Sequence, residues 1–194
     1  MSPRNGLFLT LEIKQHPQET PKWFALRVTY GRELQAHDAF GLLSIPSFVP
    51  MRYEYVVRNH KKERKLVPAV SNLVFVRTQK AVLDHLKHTS LPYLRYIMKH
   101  DGDFSTPLTV RNDDMENFIR VARQVEEDIR YINPDDYDLK AGERVRVIGG
   151  PFVGTVGTLV KVRGARSKRV VVELEGVLHV ASTAIPVNWL ERCP

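Results

Sequence analysis

Residues 145–162 read Val-Arg-Val-Ile-Gly-Gly-Pro-Phe-Val-Gly-Thr-Val-Gly-Thr-Leu-Val-Lys-Val, a Gly-Gly-Pro-Phe loop and a spaced pair of glycines set between two β-rich runs. Val145 and Val147 alternate with Arg144 and Arg146, which predicts a strand with one apolar and one cationic face. Gly149 and Gly150 permit a tight turn, and Pro151 fixes φ beside them. Gly154 and Gly157 fall where the strands of small barrels bend or bulge.

Working outward, Val156, Thr158, Val160 and Val162 share one face of a second strand. Val170, Val172 and Leu174 share a face of a third, and Glu175-Gly176 turns into a fourth over Val177 to Ala181. Ser182 to Cys193, with Ile185, Pro186, Val187, Trp189 and Leu190, has room for a short helical turn and a closing fifth strand. Residues 138–194 therefore read as an SH3-like barrel, although the same glycine spacing also fits other small β-barrels.

Towards the N-terminus strands and helices alternate. Trp23 to Thr29 predicts a strand, and Gly31 to Leu43 a helix with Ala36, Ala39, Phe40 and Leu43 on one side. Arg52 to Arg58 and Leu73 to Arg77 predict strands separated by a basic tip, His60-Lys61-Lys62-Glu63-Arg64-Lys65. Ala81 to His88 predicts a short helix and Tyr93 to Met98 a strand. Asn112-Asp113-Asp114 caps a helix expected to run to about Arg130, with a stripe of Phe118, Ala122, Val125 and Ile129. The fold class expected is α+β, a small antiparallel sheet with helices against it, followed by the barrel.

Charge marks the same divisions. Residues 22–110 carry 14 basic and 7 acidic groups, 111–137 carry 4 and 8, and 138–194 carry 9 and 5, within a 194-residue chain of formal charge +7. That balance suits a polyanionic partner or an acidic protein surface. Residues 1–21, with Pro3, Gly6, Pro17 and Pro21, predict a flexible lead-in. Residues 22–130 form the first domain, the acidic stretch 131–137 the linker and 138–194 the second domain. The single cysteine, Cys193, excludes an internal disulfide framework and a cysteine metal cluster. No apolar run is long enough to span a bilayer, so a soluble, cytoplasmic chain without membrane contact is expected.

The order of parts resembles one family. The loop at Gly149 to Gly154 resembles a KOW motif. Lys22-Trp23-Phe24-Ala25-Leu26 is similar to the opening strand of the NusG N-terminal (NGN) domain, Gly31-Arg32-Glu33 to the entry of its first helix, and Ser47-Phe48-Val49-Pro50 to its second strand. Pro68-Ala69-Val70-Ser71-Asn72-Leu73-Val74-Phe75-Val76 is similar, without a gap, to that family's Pro-Leu-Phe-Pro-Asn-Tyr-Leu-Phe-Val segment. The resemblance to the NusG and RfaH class of transcription elongation factors covers nearly the whole chain. It implies docking of the first domain on the clamp helices of RNA polymerase and suppression of pausing or termination. It also implies that the KOW domain recruits a second partner, such as Rho or a ribosomal protein, whose effective concentration the tether raises.

Carried over by position, the polymerase-facing candidates are Tyr30, Val70, Ser71 and Leu73, and the partner-binding candidates on the KOW loop are Gly150, Pro151, Phe152 and Gly154. Val70 and Leu73 stand where the family usually has aromatic residues, and Ser71 where it has proline or glycine. That departure resembles specialised paralogues, such as the UpxY-type antiterminators of capsular polysaccharide operons, more than the housekeeping factor.

Two basic clusters are candidate contacts to nontemplate DNA or nascent RNA: Lys61, Lys62, Arg64 and Lys65 at the tip, and Arg163, Arg166, Lys168 and Arg169 on the barrel. Charge at a hairpin tip also serves solubility alone. Trp23 and Trp189 are expected to pack rather than stack on bases. His37-Asp38, Asp84-His85 and His100-Asp101 are adjacent in sequence, so their side chains diverge and form no catalytic dyad. Asp101-Gly102-Asp103 reads as a turn, lacking the later ligands of a calcium loop. No enzyme, cofactor or metal is expected, and the chain should act as a monomer. The competing function is that of a ribosome-associated KOW-type structural RNA-binding protein.

Overall fold

A computed structural model describes residues 19–58, 61–132 and 142–193. Most of the expected lead-in, His60 of the basic tip and residues 133–137 of the expected linker lie outside the described residues. The chain is α+β. In order come β1 (Lys22–Val28), α1 (Glu33–Leu42), β2 (Ser47–Phe48), β3 (Met51–Arg58), β4 (Lys61–Pro68), β5 (Leu73–Thr78), α2 (Lys80–Thr89), β6 (Leu94–Tyr96), β7 (Met98–Asp101), β8 (Phe104–Pro107), β9 (Thr109–Val110) and α3 (Asn112–Ala122). The C-terminal part follows as β10 (Arg130–Ile132), β11 (Glu143–Val147), β12 (Val156–Val160), β13 (Arg169–Leu174), β14 (Leu178–Ala184), a 3-10 turn (Val187–Trp189) and β15 (Leu190–Arg192).

The N-terminal sheet has the order β2-β5-β1-β6, with β9 also on β1, and its pairings are antiparallel. Both faces are covered, which explains why Lys22–Val28 and Leu73–Thr78 read as nearly continuous apolar runs rather than alternations. Phe24, Leu26, Val28, Val74 and Val76 form one core with Ala36 and Phe40 of α1 and Val82, Leu83 and Leu86 of α2. Trp23, Ala25, Leu73 and Phe75 join Met115, Phe118, Val121 and Ala122 of α3 in another. Phe118 is the hub, its ring 5.5 Å from Phe75, 6.1 Å from Phe48 and 6.4 Å from Tyr131.

Strands β10 to β15 form a six-stranded antiparallel sheet, order β10-β14-β13-β12-β11-β15. Five strands and the short helical turn fall where expected. The sheet has to curl: β14 and β15 lie four strand spacings apart, about 19 Å if flat. The few residues between them include a compact 3-10 turn and cannot span that distance. Gly157 marks a close strand approach, since a Cβ there would stand 2.5 Å from the Val171 carbonyl oxygen.

Four expectations are corrected. Helix α3 stops at Ala122 rather than near Arg130, so Val125 and Ile129 do not extend its stripe. Glu126, Glu127 and Asp128 follow it, and acids oppose the negative C-terminal end of a helix dipole. Asn112 lies inside the helix and Arg111 is its N-cap, without a side-chain cap. Residues 61–65 are strand rather than tip. Finally, 130–132, assigned to the helix end and linker, pair with β14 as a sixth strand.

The sequence alone leaves open whether the two parts pack together; here they do. The α3 core is continuous with Val145, Val147, Phe152, Val170, Val172 and Val180. The Val156 amide donates to the Asn117 side-chain oxygen at 3.0 Å, and Lys99 pairs with Glu175 at 3.2 Å.

Candidate functional site

The candidate residues near the first helix converge on a corner. Tyr30 and Asn72 both have φ of +61°, and Gly31, next after Tyr30 in the chain, has +63°. For a tyrosine that backbone is strained and must be held by its surroundings. The restraint is a short network. The Val28 amide donates to the Asn72 carbonyl at 3.0 Å, the Gly31 amide to the Asn72 side-chain oxygen at 3.2 Å, and the Asn72 amide to the buried Glu33 carboxylate at 2.5 Å. Arg32 lies 5.6 Å from the Tyr30 ring and 5.1 Å from that of Tyr93. The outcome is a tyrosine 88% exposed on a fixed base.

Around it, Ser71 is exposed and Val70 is half-buried against the α3 core. Leu73, expected on the same surface, is 4% exposed and lies inside that core. The corner thus presents Tyr30, with exposed Ser71 next to Asn72 in the chain, while Val70 is half-buried and Leu73 lies beneath the surface. Sequence reading missed Glu33 and Asn72, which position the corner. The available signal was asparagine after Ser71, the residue type that most readily follows glycine into the left-handed region.

The glycine-rich turn is built differently. The Gly154 amide donates to the Val147 carbonyl at 2.7 Å and the Val153 amide to that of Gly150 at 3.2 Å. Gly150 and Gly154 have φ of +74° and +83°. The Trp189 ring lies over Gly149 and Gly150, where a Cβ at Gly150 would come within 2.3 Å of it. Phe152 is buried in the core and Pro151 is exposed, so the two flanking candidates differ in role. Ile148, Val153, Val187 and Trp189 add exposed apolar surface nearby.

The basic candidates also separate. Lys61, Lys62, Arg64 and Lys65 lie exposed on β4. Arg64 pairs with Glu126 at 2.7 Å and stacks 3.6 Å over Tyr53; the hydrogen bond to Glu126 raises its pKa. Arg163, Arg166 and Lys168 are exposed on the loop before β13. Arg169 is only 6% exposed, which removes it from any nucleic-acid surface. Its guanidinium donates to the Asp128 carboxylate at 2.5 Å and to the Ser182 carbonyl at 2.9 Å. The Arg169 bond holds the Asp128 carboxyl below its ordinary value. This pair ties the segment after α3 to β13.

Among the described residues no group of three or more His, Cys, Asp or Glu side chains could hold a metal ion. No helix among them is long and apolar enough to cross a membrane.

An α+β module carrying an exposed, strained tyrosine corner is thus joined to a small β-structure with a glycine-rich turn. Residues 21–119, more than half of the chain, match the family described as "NusG: Transcription termination factor nusG". The chain belongs to the NusG family, whose members are non-enzymatic transcription factors. A solved structure, "Domain interaction in Thermotoga maritima NusG", is 17% identical, covers 90% of this chain and 98% of its own, and gives a TM-score of 0.43. No curated protein matches.

Proposed function

We propose that the chain is an RNA-polymerase-associated elongation and antitermination factor of the specialised, operon-specific kind. Its N-terminal part, residues 22–130, docks on the polymerase clamp through Tyr30, Val70 and Ser71, and Leu73 supports that patch from within. The observation that carries this reading is the Tyr30 corner. A large aromatic left almost fully exposed at the cost of backbone strain, on a base fixed by buried Glu33, fits a preorganised contact anchor. The barrel around Gly150, Pro151, Phe152 and Gly154 holds a second partner, Rho or a ribosomal protein, near the transcript. The factor works in the cytoplasm as a monomer.

The test is transcription by purified polymerase on a template carrying the operon's own leader. Added protein should increase full-length transcript relative to paused and terminated products and leave initiation unchanged. Tyr30→Asp and Val70→Asp should each abolish polymerase binding while circular dichroism and melting stay near wild type, because both put a charge into an apolar contact. Binding to polymerase with no change in pausing or termination would sink the antitermination reading. Binding to ribosomal RNA with no affinity for polymerase would replace it with the ribosomal one.

A further inference from the structure

Beside Leu73 the N-terminal sheet sets two like charges against each other. Arg27 of β1 stands in register with Arg95 of β6 on one side and with Leu73 of β5 on the other. Residues paired in this way share a face, so all three lie on the side of the sheet where α3 packs. Further along, that side is apolar at Trp23, Ala25 and Phe75, and Val70 and Ile97 lie half-buried against the same core. Arg27 and Arg95 are both exposed.

Like charges directly opposite each other destabilise a sheet, and an acid beside them would relieve the cost. None is supplied: among the described residues no carboxylate pairs with either guanidinium. On β1, β5 and β6 this face carries one more cation, Arg77, and no acid. Asp84 of α2 is taken by Lys80 at 2.6 Å and by the Tyr96 hydroxyl at 2.9 Å, and Tyr96 belongs to the core on the opposite face. Arg95 is held in place. Its Nη1 donates to the Leu94 carbonyl at 2.7 Å and to the Pro92 carbonyl. Its Nε and Nη2 have no partner among the described residues, and these two nitrogens form an edge that takes a carboxylate through two parallel hydrogen bonds.

We infer that Arg27 and Arg95 together receive a carboxylate side chain of the docked protein. The inference rests on the docking reading and adds a chemistry to it: the polymerase surface that covers Val70 carries an acid as well as apolar groups. Charge and surroundings select that occupant. A carboxylate between the two guanidiniums replaces one repulsion by two charge-assisted contacts. A nucleic-acid strand repeats its phosphates and draws on a run of cations. Here the neighbours are Val70 and Ile97, an apolar border that suits a protein interface.

The test measures binding of the full chain to purified core polymerase, free of DNA and RNA, over a series of salt concentrations. Arg27→Gln should weaken binding about tenfold, as loss of one hydrogen bond between charged groups does, and flatten the salt dependence. Its melting temperature should hold or rise, because the opposition to Arg95 is gone. Arg27→Glu should melt higher still, since it pairs across the strands with Arg95, yet bind far more weakly because acid then meets acid. Arg95→Lys keeps the charge without the fork and should also weaken binding. Wild-type affinity in Arg27→Gln and Arg27→Glu overturns the inference. So does a loss seen only on polymerase that carries template and transcript, which assigns the pair to phosphates. A melting temperature that falls along with binding in Arg27→Gln makes the arginine structural and overturns it too. Failure of the docking reading looks different: Tyr30→Asp and Val70→Asp would leave polymerase binding untouched, and this inference would fall with it. If those two abolish binding while Arg27→Gln and Arg95→Lys bind as wild type, docking stands and the carboxylate contact alone is wrong.

Discussion

The corner at Tyr30 and the turn at Gly149 to Gly154 solve the same geometric problem in opposite ways. Each needs backbone in the left-handed region. The turn uses glycine at Gly150 and Gly154, leaving room for Trp189 on one side and Arg120 on the other. The corner places a tyrosine there and restrains it through Asn72 and Glu33. Glycine is the economical answer when another part of the molecule must come close. A strained side chain makes sense only when that side chain is what the corner presents.

The largest effect should come from the glycine side of this contrast. At Gly157 the obstacle is backbone, the Val171 carbonyl oxygen, which cannot swing away as a flexible side chain can. Gly157→Val should therefore cost on the order of 3 kcal/mol, measured by urea denaturation, because overpacking between strands is relieved only by moving one of them. An unchanged midpoint would show that β12 and β13 are farther apart than described.

Next comes the restraint on the corner. Glu33 is buried, and its carboxylate accepts the Asn72 amide. Glu33→Ala removes a charge-assisted hydrogen bond and leaves a donor without its partner, a loss of about 2 kcal/mol. Glu33→Gln, which keeps an acceptor oxygen, should lose clearly less. Equal losses for the two variants would mean that Glu33 contributes packing rather than the restraint on Asn72.

The same contrast explains what was legible in the sequence. The turn is local: Gly149 to Gly157 write their geometry into consecutive positions, and the alternation of Val145 and Val147 carries the strand before them. The corner is not local. Gly31 is held by Asn72, a residue 41 positions away, and nothing in Thr29-Tyr30-Gly31 announces the left-handed tyrosine. Of the β3–β4 ribbon, β3 read as strand at Arg52 to Arg58, and β4 failed to for another reason. Lys61 to Lys65 faces water on both sides, so no burial imposes a period of two on its residues. β10 is three residues long, and its pairing with β14 comes from tertiary contact rather than from any pattern in Arg130-Tyr131-Ile132. The apolar core of the first sheet, by contrast, followed directly from the runs at Trp23 and Leu73. Its double coverage is also what puts Leu73 inside and leaves the surface of the proposed docking patch to its neighbours.

The smallest effect should fall at Tyr30, and its sign tests the whole comparison. Asparagine tolerates the left-handed region far better than tyrosine, so Tyr30→Asn should release about 1 kcal/mol of backbone strain. Against this stands the loss of the ring that Arg32 approaches at 5.6 Å, an exposed cation–π contact contributing about 0.5 kcal/mol. Because the residue is exposed, little burial is lost with it. The variant should therefore melt at or slightly above the wild-type temperature while binding polymerase more weakly, and Tyr30→Phe should keep both properties of the wild type. A stabilised variant with impaired binding is the signature of strain maintained for contact. If Tyr30→Asn instead lowers the melting temperature and binds normally, the tyrosine is there for the fold, and the corner has no more claim to a partner than the glycine turn.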